Sequence, residues 1–197
     1  MILPPCPDWN EDRPGDLSRI IANINGFWPV VEADAIARPA PSLAIALEWH
    51  RRIYDRVAVP HPDYVGQVRD SDQRYPCLID YEVAVGSVRG VRARDVPGAL
   101  DAFARATATV VAALDAAVPR GTVASSPPAV RGIVRLCAYT HGEWIRIHPF
   151  ANGNGRTARV WANWIALRYG LPPFVRIRPR PGTSGSARYP DGSCVTC

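Results

Sequence analysis

The sequence predicts a mostly α-helical domain, a helical bundle with one short β-hairpin. Three observations predict it. Apolar residues recur at helical spacing in five separate stretches. Only residues 81–91 alternate like paired strands, about a Gly-Ser turn. At 197 residues and 47% hydrophobic content, the chain can fill one sizeable core.

Residues 1 to about 15 are rich in Pro, Asp and Glu and read as an extended arm, which Trp9 and Trp28 tuck onto the body. Asp16-Leu17-Ser18 caps a helix through Ile20, Ile21 and Ile24 that ends near Gly26. Pro29 and Pro39 bracket a short segment after it. A stronger helix opens at Pro41-Ser42 and runs to about Val57, carrying His50 as a packing residue. Pro60-His61-Pro62-Asp63 is a turn, and Gly66-Gln67-Val68-Arg69 follows. Tyr81 to Val85 and Val88 to Val91 flank Gly86-Ser87 as a hairpin. Asp95-Val96-Pro97 starts a helix with Leu100, Phe103, Val110, Val111 and Leu114 on its apolar face; Pro128 to about Ile147 forms the next. A last helix runs from Gly155 to about Tyr169, stopped by Gly170 and Pro172-Pro173.

Between the last two helices lies the most informative stretch, His148-Pro149-Phe150-Ala151-Asn152-Gly153-Asn154-Gly155-Arg156-Thr157-Ala158-Arg159. Pro149 disfavours helix at His148, which leaves the imidazole at a loop mouth. Asn152, Gly153 and Asn154 are turn and cap types, so the loop feeds a helix N-terminus. There the backbone N–H groups lack intrahelical partners and the dipole favours negative charge. Arg156 and Arg159 are three residues apart and share a face. An anion loop, two guanidinium groups and a titratable imidazole together describe a site for phosphate chemistry.

This stretch resembles the signature of the Fic family, which reads HPF, any residue, Asp or Glu, GN, Gly or Lys, Arg, two residues, Arg. Only Asn152 departs, standing where the family has an acid. The resemblance implies a Fic fold over residues 41–180, preceded by an extension (1–40) that packs on the core and followed by an irregular tail (181–197). That tail lacks the family's Tyr-containing helix, as truncation or a shifted reading frame would leave it.

The resemblance also implies a protein adenylyltransferase that moves AMP from ATP to a Ser, Thr or Tyr hydroxyl of a target protein. The alternatives are a weak or inert nucleotide- or protein-binding domain, and a toxin-type protein transferring another phosphate-containing group. By the same resemblance His148 is the general base. Gly153, Asn154 and Gly155 address the α- and β-phosphates, and Arg156 and Arg159 the outer ones. Asn152 stands at the Mg²⁺ position, without the charge that a hard cation prefers. Val83, Ala84, Val85 and Gly86 belong to the flap that clamps the target by strand addition. Gly66-Gln67-Val68-Arg69 is similar to the family's Gly-x-x-Arg element before the flap, and is read either as a loop near the nucleotide or as an ordinary loop. No glutamate has Ser or Thr four residues before it, so the family's self-inhibitory device is not readable; a separate antitoxin protein, or no inhibitor, is expected.

Bulk properties bound the remaining classes. The net charge is +5 and the strong bases are all Arg, but the arginines are scattered rather than striped, which argues against nucleic acid. No apolar run is long enough to span a bilayer, and residues 1–7 show no signal-peptide pattern. The expectation is a cytoplasmic protein without membrane contact. The cysteines at 6, 77, 137, 194 and 197 follow no framework spacing and are expected to be free thiols in a reducing compartment.

Overall fold

The computed structural model describes residues 6–70, 72, 74–85 and 88–175. Five helices carry the fold: α1 (Leu17–Ala37), α2 (Leu43–Ile53), α3 (Val96–Ala117), α4 (Pro127–Ile147) and α5 (Asn154–Arg168). The strands among the described residues are β1 (Ala84–Val85) and β2 (Val88–Arg89), paired antiparallel with Ala84 opposite Arg89 and Val85 opposite Val88. The turn expected at Gly86-Ser87 and the tail expected at 181–197 lie outside the described residues.

The bundle is built around α5, which packs against α4, α1 and α2. Eleven of its fifteen residues are buried, among them Val160, Trp161, Trp164 and Ile165. A helix covered on nearly every side is a core helix, not an amphipathic surface one. Around it the aromatic rings interlock. Trp49 and Trp161 meet edge to face at 4.9 Å between centroids, and Phe103 meets Trp144 at 5.5 Å. The Trp164 indole N–H donates to Asp34 on α1 at 2.9 Å, which ties the first helix to the last.

The sequence expectation for residues 17–39 is corrected. In place of a helix ending near Gly26 and a separate segment, α1 runs unbroken through Gly26 and Pro29. A proline inside a helix costs on the order of 3 kcal/mol. Its neighbours outweigh that: Ile20, Ile24, Phe27, Val31 and Ala35 form one buried stripe at helical spacing on both sides of Pro29. Each large apolar side chain in such a stripe contributes about 1.5–3 kcal/mol by burial.

The arm before α1 is fastened at several points. Trp9 is buried, with its ring 4.7 Å from that of Tyr54 and stacked on Tyr64. The Trp9 N–H donates to the Tyr81 hydroxyl at 2.8 Å, and the Tyr64 hydroxyl donates to the Pro7 carbonyl at 2.6 Å. Cys6 is joined to Cys77 by a disulfide across 71 positions. The expectation of free thiols is therefore wrong for this pair, and the cysteines no longer argue for a reducing compartment. Partners so far apart leave no local spacing to read. Cys137 is a free, buried thiol, and Cys194 and Cys197 lie outside the described residues. No helix among the described residues is long and apolar enough to cross a membrane.

Candidate active site

Helix α4 ends where the sequence places the break. His148 is its C-cap, in the left-handed region at φ 54°. Its Nδ1 lies 3.0 Å from the Ile145 carbonyl oxygen. A carbonyl can only accept, so Nδ1 carries a proton, and in the neutral ring the lone pair is then on Nε2.

The loop that follows is pinned from three directions. From within, the buried Asn154 side chain bridges the Phe150 backbone, accepting from its N–H and donating to its carbonyl, both at 2.8 Å. From below, the Arg69 backbone N–H donates to the Pro149 carbonyl at 2.8 Å. From α2, His50 stacks on Phe150 at 3.9 Å between centroids, and its Nε2 lies 2.9 Å from the Asn152 carbonyl oxygen. The Gly66 N–H donates to Nδ1 of His50 at 2.9 Å, so the proton sits on Nε2 and is given to Asn152. Burial pushes the His50 pKa down to about 3, against the pull of the Asn152 carbonyl, and the ring stays neutral. Gly153 sits at φ 80°, and a Cβ there would come within 2.7 Å of the Tyr54 ring and 3.0 Å of His50. Both backbone strain and space exclude a side chain.

Arg69 binds the loop to the hairpin. Its side chain is fully buried and donates to the carbonyls of His148 (2.8 Å), Tyr81 (2.8 Å), Val91 (2.8 Å) and Ile147 (3.1 Å). The two readings of the Gly66–Arg69 element stay open, and Arg69 itself is a clasp on backbone carbonyls beneath the motif loop. The hairpin stem also rests directly on the histidine, since a Cβ on Gly90 would lie 2.9 Å from Cβ of His148. Gly90 N–H donates to the Val83 carbonyl at 3.1 Å, making 83 and 90 a hydrogen-bonded pair. By alternation the Ala84 amide then points away from β2, and it is the outward donor of this edge.

The arm completes the site, which the sequence reading did not foresee. Asp12 forms an ion pair with Nη2 of Arg156, both side chains being largely buried. Nη1 of Arg156 donates to the Tyr54 hydroxyl at 2.5 Å, while its buried Nε has no acceptor among the described residues. Arg156 and Arg159, expected to address the outer phosphates, both line the site, but Arg156 reaches it already paired with Asp12. Asn152 differs too. Its Oδ1 accepts from Gly153 N–H at 2.6 Å, and its Nδ2 faces Asp12 Oδ1 at 3.5 Å. Gly153 N–H, expected to address phosphate, is occupied by this bond. The leading amides of α5, at Asn154 and Gly155, precede any helical partner.

Two cavities meet here. One, of about 360 Å³, lies between the arm and the start of α5; it is lined by Asp12, His148, Asn152, Gly155, Arg156 and Arg159, with Pro14, Leu17 and Ile145 as an apolar flank. The other lies between the arm and the hairpin and is lined by Glu11, Glu82, Val83, Ala84, His148 and Asn152 among others. His148 and Asn152 border both. Away from this region, His61, Asp63 and Cys77 bring metal-ligand atoms within 4.8 Å of one another, but Cys77 is committed to the disulfide. His141 on α4 is half-buried, its pKa lowered by burial and by Arg159, and it does not line either cavity.

A helical bundle that sets an imidazole beside a glycine loop at a helix N-terminus, under a two-stranded hairpin, defines a class of domain. The Fic/DOC family model matches residues 41–166, and the chain belongs to that family. Over 51 residues, 26% of this chain, it is 41% identical to the protein adenylyltransferase Fic of Nematostella vectensis. Over 42 residues, 21% of this chain, it is 45% identical to the protein of the same name from Drosophila persimilis. These matches span only 12% and 8% of the relatives' own lengths. A Fic domain-containing signaling protein from Bacteroides thetaiotaomicron has a similar fold, with a TM-score of 0.54 at 22% identity, over 86% of this chain and 55% of that one.

Proposed function

We propose that this protein transfers AMP from ATP to a hydroxyl group of a target protein, forming a phosphodiester to the hydroxyl oxygen as the bond between the α- and β-phosphates breaks and pyrophosphate leaves. The observation that carries this reading is the position of His148, whose imidazole borders both cavities, one beside the helix N-terminus and one beneath the hairpin. The adenylyl donor supplies an electrophilic α-phosphorus when bound. For its part, the chain offers the Asn154 and Gly155 amides and the α5 dipole to the phosphates, with Arg159 on the same wall. The apolar flank of Pro14, Leu17 and Ile145 suits a base or ribose. Nε2 of His148 accepts the proton of a Ser, Thr or Tyr hydroxyl held by the hairpin edge, while the Nδ1–H bond to Ile145 fixes the ring and its tautomer. The resemblance that runs through the loop, together with relatives named protein adenylyltransferase, supports AMP as the group moved.

A Mg²⁺ ion accompanying the nucleotide would be held by phosphate oxygens and by protein oxygens of this wall. The Asn152 amide oxygen, uncharged and already accepting from Gly153 N–H, is a weaker candidate than a carboxylate. One observation favours a second reading, a nucleotide-binding domain with little turnover: Asp12 neutralises Arg156 before any phosphate arrives.

Labelling separates the two. Purified protein is incubated with α-labelled ATP, Mg²⁺ and a cell lysate, beside His148→Ala. Transfer predicts labelled protein with the parent and none with the variant. ATP binding without label, in calorimetry, selects the second reading.

A further inference from the structure

Asn152 leaves the phosphate wall without the charge a metal ion would seek, yet a carboxylate stands against it. We propose that Asp12, delivered by the N-terminal arm, is the anionic metal-binding group of the nucleotide site, in place of Asn152. This rests on the nucleotide reading above and adds a residue to it that lies outside the span matched by the family model.

The orientation of Asn152 is fixed at both ends. Gly153 N–H needs an acceptor and finds Oδ1; the Asp12 carboxylate needs a donor and finds Nδ2. The amide therefore presents its nitrogen, a donor, toward the arm. A cation is repelled by that end, and the oxygen, which already accepts from Gly153 N–H, brings no charge to hold one. Asp12 meanwhile has spare capacity. A carboxylate offers about four acceptor positions, and the structure fills three of them, with Arg156 on Oδ2, Asn152 on Oδ1 and the Tyr54 hydroxyl, which leaves one open. It lines the same cavity as Gly155 and Arg159.

Asp12 also stays in place. Trp9, three residues before it, is buried in the Tyr54 and Tyr64 rings, and Cys6 is covalently joined to Cys77. Just after it the chain enters α1, whose stripe is buried. Paired with Arg156, the fastened carboxylate leaves that guanidinium little net charge to offer phosphate, and a cation bound at Asp12 would supply it. A detachable plug would need a looser arm. The arrangement instead makes phosphate binding depend on a divalent cation, with Arg156 holding the carboxylate in position.

The test is calorimetric titration of ATP, in EDTA and at rising Mg²⁺, with the parent, Asp12→Asn, Asp12→Glu and the double variant Asp12→Asn with Asn152→Asp. Asp12→Asn keeps the side chain's shape, and thermal melting follows its folding. The parent should bind ATP more tightly with Mg²⁺ than without. Asp12→Asn should lose about tenfold or more of that gain, the scale of one charge contact between bulk water and a protein surface, while binding ATP in EDTA no more weakly than the parent. Asp12→Glu should keep most of the Mg²⁺ effect, and the double variant should regain it through the new carboxylate. An undiminished Mg²⁺ gain in Asp12→Asn overturns the proposal, as does ATP binding that tightens equally with and without Mg²⁺, which would make Asp12 a blocking group. Should the parent bind no ATP under either condition, the nucleotide reading itself falls, an outcome distinct from the other two.

Discussion

A neutral imidazole on α2, that of His50, holds the carbonyl of Asn152, 102 positions later in the chain, at 2.9 Å. The bond makes the shape of the phosphate loop depend on a proton that His50 must not gain. Its folded pKa, about 3, lies below the ordinary value near 6.5. Between those values the unfolded chain binds a proton that the folded one does not, so stability rises with pH through that window. From about pH 6.5 downward the parent should lose up to about 1.4 kcal/mol per unit from this group. Melting curves at about pH 6.5 and about pH 4.5 should therefore differ more for the parent than for His50→Gln. Equal slopes would show that His50 does not carry the acid sensitivity.

His148→Ala should abolish transfer without touching nucleotide affinity. Loss of a positioned general base lowers rates about 10²–10⁴-fold. Labelling with α-labelled ATP reads the first quantity and calorimetry the second. A variant that labels at the parent rate would remove His148 from the chemistry.

At the hairpin, the register selects one amide. Ala84→Pro deletes the donor that points away from β2, and it leaves the Gly90 to Val83 bond intact. Target labelling should drop several-fold while ATP binding stays as it was. Unchanged labelling would show that no strand is added at this edge.

Replacing Arg69 by Met should be among the most damaging single changes in the chain. Four carbonyls lose their donor, two of them at the end of α4. Buried acceptors left without partners cost about 1–3 kcal/mol each, so a loss of at least about 3 kcal/mol is expected. Denaturant unfolding would measure it, and a loss below about 1 kcal/mol would contradict the clasp.

Much of this was readable in the chain because it is local. The break at His148, the glycine loop and the helix after it follow from neighbours a few residues apart, and so does the hairpin. What escaped the sequence is non-local. Asp12 meets Arg156 across 144 positions and Cys6 meets Cys77 across 71; no periodicity or spacing announces either. Proline rules misplaced the end of α1, because a buried stripe of five side chains overrode one missing hydrogen bond. The Gly66–Arg69 element stood out in the sequence but the role of Arg69 did not, since the carbonyls it gathers come from three separate segments. The Asn152 substitution was visible, but the orientation of its amide depends on Asp12 and Gly153 together.

The route of α1 and the arm bears on how the protein should be handled. A fragment cut to residues 41–166 would keep every residue of the glycine loop and still be a different object. It would lack Trp9 over His50, Asp12 beside Asn152, and the Asp34 that accepts from Trp164. The side of α5 now covered by α1 would face water as a broad greasy surface. Such a trimmed piece would clump in the tube, and any weak ATP binding measured on it would describe half a pocket.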